Sequence, residues 1–166
     1  MTVERKNKQM KDILIGRGFD EIRFGMTREE VKKILGEPDE VDSYASSEEA
    51  EDNTEAYHYD ELELSVSFDE IDEWRLGSIA VSSPEAILEG MKLIGNNDDD
   101  LLAKISVLDL GESEREDVSS PESPDHEVIS FYEASINFWL ENGSVSEIQF
   151  GPLWDDENEE VIWPED

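Results

Sequence analysis

The stretch IRFGMTREEVKKILGEPDEV, residues 22–41, carries every local signal of one amphipathic helix. Thr27 followed by Glu30 forms a capping box, in which each side chain satisfies a backbone N–H of the first turn. Val31 opens an apolar stripe along one face. Gly36 and the proline two positions later end the helix. The pattern predicts a helix with one buried face, and all of these signals are structural rather than catalytic.

The same helix signals return seventy residues further along the chain. FGMTREEVKKIL (24–35) aligns without a gap with IGNNDDDLLAKI (94–105), where Asn97 takes the capping position. At the same offset, ELELSVSF (61–68) aligns with FYEASINF (131–138). Two blocks in the same order at one offset indicate an internal duplication, in which a helix, an acidic serine-containing loop and alternating strands follow one another.

We therefore expect an α+β protein, a tandem duplication of a helix packed on a small antiparallel β-sheet. The predicted organisation is a basic N-terminal segment at 1–18, a first repeat at 19–83, a second repeat at 84–153 and an acidic tail with tryptophans at 154–166. Alternation of apolar and polar residues in each repeat favours strands that are buried on one face. An Asn-Gly pair within residues 141–143 favours a tight hairpin in the second repeat.

Acidic residues dominate the composition, with 45 Asp and Glu against 13 Lys and Arg and a formal net charge of −32 in 166 residues. Nine of the basic residues lie within the first 33 positions, so the rest of the surface is strongly anionic. Such a surface repels nucleic acid phosphates and anionic membranes and attracts a cationic partner. The charge therefore argues against nucleic acid and membrane binding. Solubility alone, or adaptation to high salt, would also account for an acidic surface.

The chain contains no cysteine, which excludes disulfides, thiol catalysis and iron–sulfur ligation for this sequence. No apolar run approaches the roughly 18–20 residues of a membrane span. The charged first residues lack the apolar segment of about 7–15 residues that a secretion signal requires. We expect a cytoplasmic protein.

No recognisable catalytic, cofactor or metal motif stands in the sequence. His58 and His126, the two histidines, belong to no catalytic pattern. Gly16 and Gly18 lack the third glycine of a dinucleotide fingerprint. The acidic runs lack the alternating ligands and central glycine of an EF-hand loop. We expect a protein that is not an enzyme and has no cofactor. The alternative is a metal-dependent or small-molecule-binding protein, or an enzyme, that uses loop carboxylates.

The pattern FGMTREEVKKILGEPDEV (24–41), followed by a variable loop and antiparallel strands, resembles the SmpA/OmlA and β-lactamase-inhibitor-protein (BLIP-like) modules. The resemblance spans residues 19–153. It implies a helical segment packed on a small antiparallel sheet, with two such modules in tandem in some members. Members that are lipoproteins have a signal and a cysteine, which this sequence lacks. The inhibitor branch implies protein binding through an exposed sheet face.

Strand alternation predicts which side chains face away from the core. The parity that buries Tyr132 and Phe138 turns their neighbours to the opposite face. Large aromatics among carboxylates are typical of protein interfaces. The residues predicted to bind a partner are Glu61, Glu63, Phe131, Glu133 and Trp139. The alternative is that a second sheet or a homodimer covers these aromatics.

Together these patterns predict a non-enzymatic acidic module that binds a basic protein partner. Binding would inhibit or neutralise the partner by occlusion, as in an inhibitor or immunity protein. A self-associating structural protein is the further alternative.

Overall fold

Antiparallel strands dominate the computed structural model, which describes residues 11–45, 53–122 and 124–164. Strand accounts for 48% of the described residues and helix for 15%. Residues 1–10 of the predicted N-terminal segment, 46–52 of the first acidic loop and the last two residues of the tail lie outside the described residues. Within the described part of the chain, no helix combines the length and the apolar composition needed to span a membrane.

The strands and helices are numbered in chain order. The strands are β1 (Asp12–Leu14), β2 (Gly18–Phe19), β3 (Ile22–Arg23), β4 (Glu40–Ala45), β5 (Asn53–Tyr59), β6 (Leu64–Asp69), β7 (Arg75–Val81), β8 (Ile87–Leu88), β9 (Met91–Lys92), β10 (Ser113–Asp117), β11 (His126–Phe131), β12 (Ile136–Glu141), β13 (Ser144–Phe150), β14 (Leu153–Asp155) and β15 (Glu160–Ile162). The helices are α1 (Arg28–Leu35) and α2 (Asp98–Ile105), with short 3₁₀ turns at Glu70–Asp72 and Ser106–Leu108.

Eight strands form one antiparallel sheet in the order β10-β11-β12-β13-β7-β6-β5-β4. The chain fills this sheet from both edges inward, and β13 joins β7 at the centre through residues 148–150 and 79–81. Five short strands form a second sheet in the order β3-β2-β1-β8-β9, in which β1 and β8 are parallel. Strands β14 and β15 pair near the C-terminus.

The hydrophobic core lies between the large sheet and a layer that contains the small sheet and both helices. Phe150 of the large sheet meets the rings of Phe19 and Phe24 edge-on, at centroid distances of 6.5 and 5.9 Å. Val31 of α1 and Leu101 of α2 are buried in the same core. We call the face of the large sheet that packs on this layer the inner face, and the opposite one the outer face.

The predicted helix is confirmed as α1. Thr27 Oγ1 accepts from the Glu30 backbone N–H at 3.2 Å, and Glu30 Oε1 accepts from the Thr27 N–H at 3.0 Å. Gly36 follows the last turn with a φ of +88°, a conformation that favours glycine. The second predicted cap is also present, because Asn97 accepts from the Asp100 N–H at 2.8 Å. Contacts within a few residues determine both helix starts.

The predicted fold class, an α+β tandem duplication of a helix packed on a small antiparallel sheet, is wrong. The described chain is mostly β, and each of its two helices has 8 residues. Strands from the predicted repeats, 19–83 and 84–153, join in a single eight-stranded sheet instead of two small ones. The BLIP-like tandem arrangement is therefore wrong as well. Local alternation predicts that strands exist, but it does not specify which distant strands pair.

The predicted strand FYEASINF (131–138) is two strand ends joined by a turn. The Ser135 N–H donates to the Tyr132 carbonyl at 3.2 Å, and Ser135 has a φ of +52°. The prediction extended one alternation of buried and exposed residues through this turn, which separates β11 from β12. It is therefore wrong for the residues on the β11 side. Phe131 is 7% exposed and Tyr132 is 68% exposed, the reverse of the prediction. Phe138, beyond the turn, is buried as predicted.

Candidate functional site

The outer face of the large sheet presents polar side chains to solvent. Along β6, Ser65 and Ser67 alternate with Leu64, Val66 and Phe68, which are buried in the core. Strands β7, β12 and β13 show the same alternation, whereas the edge strands β4 and β10 are exposed along their whole length. Most outward side chains are partly or fully exposed, and the buried exceptions are Thr54, Ala56 and Val128. The outer face is the candidate site, since the inner face is occupied by the core.

One polar cluster on the outer face centres on His58, whose two ring nitrogens both have partners. Nδ1 lies 2.7 Å from Ser65 Oγ, and Nε2 lies 2.9 Å from Asp42 Oδ2. The three residues come from the adjacent strands β5, β6 and β4, and His58 stands directly opposite Ser65 in the β5–β6 register. A neutral ring with its proton on Nε2 donates to Asp42 and accepts from Ser65.

A cavity of about 480 Å³ opens beside this cluster. Its lining consists of Glu40, Asp42, His58, Tyr59, Asp60, Glu63, Leu64, Ser65 and Ser82. Four of these are carboxylates, so the cavity attracts an ammonium or guanidinium group. The same charges oppose a developing oxyanion, which nucleophilic catalysis by a serine would need to stabilise. Despite its Asp–His–Ser order, the arrangement suits the binding of a cationic group better than acyl transfer.

A second cluster surrounds Trp139 on β12. The indole N–H donates to Gln149 Oε1 at 3.2 Å, and the Gln149 amide donates to Ser78 Oγ at 3.3 Å. The His126 ring lies 5.5 Å from the indole centroid at an interplanar angle of 46°. Glu147 stands directly opposite Trp139 in the β12–β13 register. Burial raises the pKa of the half-buried Glu147 carboxyl, and His126 opposes this shift.

Positive charge is scarce on the eight strands, which contain two basic residues. Arg115 is held by Asp98 at 2.9 Å and by Glu127 at 2.6 Å. Its hydrogen bonds hold the pKa of both carboxyls below their ordinary values. The guanidinium of the second, Arg75, lies 3.4 Å from a carboxylate oxygen of Glu73 and 5.7 Å from the centroid of the Trp163 ring. Acidic side chains therefore dominate the charge of the large sheet.

The residues predicted to bind a partner are spread over the molecule. Glu61 and Glu63 lie in the turn before β6, and Glu63 lines the cavity. Glu133 lies in the turn before β12. Because β6 and β12 run in opposite directions, these turns lie at opposite ends of the sheet. Trp139 is on the outer face, whereas Phe131 is buried in the core, so the prediction that Phe131 is exposed is wrong.

The sequence analysis missed the group formed by Asp42, His58 and Ser65, and the partners of Trp139. A signal for the pair of His58 with Ser65 exists in the sequence. If the turn is placed at residues 60–63, the β5–β6 hairpin brings these two side chains opposite one another. Among the described residues, no group of three or more His, Asp or Glu side chains is arranged to hold a metal ion.

No family model matches the chain, and no curated protein matches it. The chain is similar to a solved structure, that of an extracellular protein containing a SCP domain from Bacillus anthracis str. Ames, with 12% sequence identity and a TM-score of 0.48. The similarity covers 86% of this chain and 49% of that chain, so this chain spans about half of that protein's length. The resemblance to SmpA/OmlA proteins stays a prediction.

Proposed function

We propose that this protein is a non-enzymatic binding module whose outer face recognises a basic protein partner and thereby inhibits or neutralises it. One observation supports the proposal most directly. The large sheet turns carboxylates outward, while both basic residues on its eight strands are already engaged by acidic or aromatic side chains. A cytoplasmic location stays a prediction.

Charge and shape would act at different stages of such an encounter. A net charge of −32 accelerates the approach of a cationic protein over distances comparable to the Debye length, about 8 Å at physiological salt. Once the partner is close, the cavity beside His58 gives one ammonium or guanidinium group a place among four carboxylates. The bound module then covers the partner's basic surface, which inhibits the partner by occlusion.

The test compares two triple variants that remove the same charge from different places. The face triple neutralises carboxylates that line the cavity, and the control triple neutralises exposed carboxylates on α1 and on turns of the inner layer. The face triple is Glu40→Gln, Asp42→Asn and Glu63→Gln; the control triple is Glu29→Gln, Glu89→Gln and Asp109→Asn. Each variant is used as bait in lysate of the source organism at low and at high salt. The retained protein is then purified and its affinity measured.

We expect one basic protein near one-to-one stoichiometry, released by salt. Exposed charge pairs contribute about 0.2–1 kcal/mol each, so the face triple weakens binding by about threefold to a hundredfold. The control triple changes affinity by less than about twofold. Retention of no basic protein, or of one whose affinity is unaffected by the face triple, would contradict the proposal.

A further inference from the structure

Glu147 is a carboxylate that the fold places on the outer face without a partner. It stands opposite Trp139 across the β12–β13 ladder and is half-buried. Within the described residues its carboxylate forms no hydrogen bond or ion pair, and the side chain that opposes the rise in its pKa is His126. Burial without a partner is unfavourable for the ionised form, which is why the pKa of this carboxyl is raised. A cation placed beside Glu147 would offset that penalty.

Trp139 provides a fixed aromatic surface next to this carboxylate. Its N–H is held by Gln149, which in turn is held by Ser78. The His126 ring packs against the indole at 5.5 Å. These contacts restrict the ring in the free protein, so little rotamer freedom remains to be lost on binding. An aromatic face beside an unpaired carboxylate is suited to a side chain that is both cationic and planar.

We propose that the pair formed by Trp139 and Glu147 receives one arginine side chain of the basic partner. Arginine fits better than lysine, because its guanidinium can stack on an indole and donate two parallel hydrogen bonds to one carboxylate. A lysine ammonium supplies a point charge without the planar contact. This inference rests on the proposed function and adds the chemistry of one contact, on β12 and β13, separate from the cavity beside His58.

The experiment uses the full chain and three blocked tripeptides in which glycine flanks arginine, lysine or citrulline. Citrulline has the shape of arginine without the charge. NMR follows the indole N–H of Trp139, assigned with Trp139→Phe, and the side-chain carboxyl carbon of Glu147. The variants are Glu147→Gln, Glu147→Asp and the control Glu141→Gln, an exposed carboxylate on the same strand as Trp139. A dispersed amide spectrum confirms that each variant is folded.

We expect the arginine peptide to shift the indole resonance and to lower the titration midpoint of Glu147, because a bound cation favours the ionised carboxylate. The lysine peptide binds more weakly, and the citrulline peptide does not bind. Glu147→Gln weakens arginine binding by about tenfold, since a charge-assisted hydrogen bond is removed. Glu147→Asp retains part of the affinity, and Glu141→Gln changes it by less than about twofold.

The outcomes separate this inference from the proposed function. If the basic partner binds but Glu147→Gln and Glu141→Gln weaken it equally, the arginine contact is overturned and the acidic face stands. If neither the arginine peptide nor any basic protein binds, the arginine contact and the proposed function are both wrong. If the Trp139 resonance shifts with protein concentration and sedimentation shows a dimer, a second copy of the chain covers the indole and the arginine contact is again overturned.

Discussion

Phe131 and Tyr132 are adjacent in sequence and opposite in burial, so alanine variants of the two test where the turn before β12 lies. Phe131 is 7% exposed, and its ring meets Phe138 edge-on at 5.9 Å with an interplanar angle of 86°. Phe131→Ala should lower the free energy of unfolding by about 3–5 kcal/mol, from lost burial and the cavity left behind. The aromatic pair accounts for about 0.5–1.5 kcal/mol of this loss.

Tyr132 is 68% exposed, and its hydroxyl reaches the exposed Glu114 at 3.2 Å. Tyr132→Ala should therefore change the free energy of unfolding by about 0.5 kcal/mol or less. Urea unfolding followed by circular dichroism measures both. With a slope of about 2 kcal/mol per molar urea, Phe131→Ala lowers the midpoint by about 2 M and Tyr132→Ala by less than about 0.3 M.

Phe131→Leu serves as a milder variant if the alanine protein does not fold, because it keeps most of the apolar volume and should lose less stability. An unchanged slope shows that each variant unfolds in the same transition. Equal losses in the two alanine variants, or a larger loss in Tyr132→Ala, would refute the turn at residues 132–135. Phe131 would then be an exposed residue and again a candidate for partner binding.

Three further predictions concern the helix cap, an ion pair and the net charge. Thr27→Ala removes a hydrogen-bond acceptor from the first turn of α1 and should lower the free energy of unfolding by about 0.5–2 kcal/mol in urea titrations. Thr27→Ser keeps the acceptor and should keep most of the stability. Arg115 depresses the pKa of Asp98 and Glu127, so its stabilisation is present above about pH 4.5 and is lost as pH falls through the folded-state pKa values. The difference in melting temperature between wild type and Arg115→Gln should therefore shrink on acidification, and a growing difference would contradict this reasoning. Raising sodium chloride from about 10 mM to about 500 mM should increase the melting temperature, because salt screens repulsion within a chain of net charge −32; a decrease in calorimetry would show that attractive ion pairs dominate.

Features that depend on a few neighbouring residues were predictable from the sequence. The cap at Thr27 needs only Glu30, which lies three positions later, and both of its hydrogen bonds are present. The alternation along β6 indicated the right buried face because the register irregularity between Ser67 and Phe68 places its extra residue, Gly77, on β7 and leaves β6 regular. The outward position of Trp139 was predictable for the same reason, since it follows the buried Phe138 on one unbroken strand.

Features that depend on distant pairing were not predictable in the same way. Strand β7 pairs with β13, whose residues lie about seventy positions later in the chain. The sequence of neither strand specifies the other as its pairing partner. The prediction of two small sheets failed at this contact. The prediction that Phe131 is exposed was wrong because of the turn at residues 132–135. The sequence of this turn, Tyr-Glu-Ala-Ser, contains no glycine, asparagine or proline to mark it. The site around His58 required both the hairpin register and the position of β4, so only the first of its two contacts had a local signal.

The position of the carboxylates, rather than their number, distinguishes a binding surface from a surface adapted to salt. Adaptation to salt would not require acidic residues to favour one layer of the fold. In this protein, α1 on the inner layer carries Arg28 and Lys32, which lie over the rings of Trp74 at 4.7 Å and Tyr57 at 5.3 Å. The same layer also carries carboxylates, among them Glu29 on α1 and Asp98 on α2, so acidic groups lie on both sides of the sheet and variants on each side test which position matters.

The two triple variants remove equal charge, so any difference between their effects on partner binding comes from position alone. If both triples weaken binding equally, net charge attracts the partner without a preferred face, and the contacts proposed for the outer face have no role. If the face triple alone weakens binding, the partner recognises the carboxylates of the outer face rather than the net charge. In that case raising the salt concentration should reduce the difference between the triples, because screening removes the contribution that depends on position.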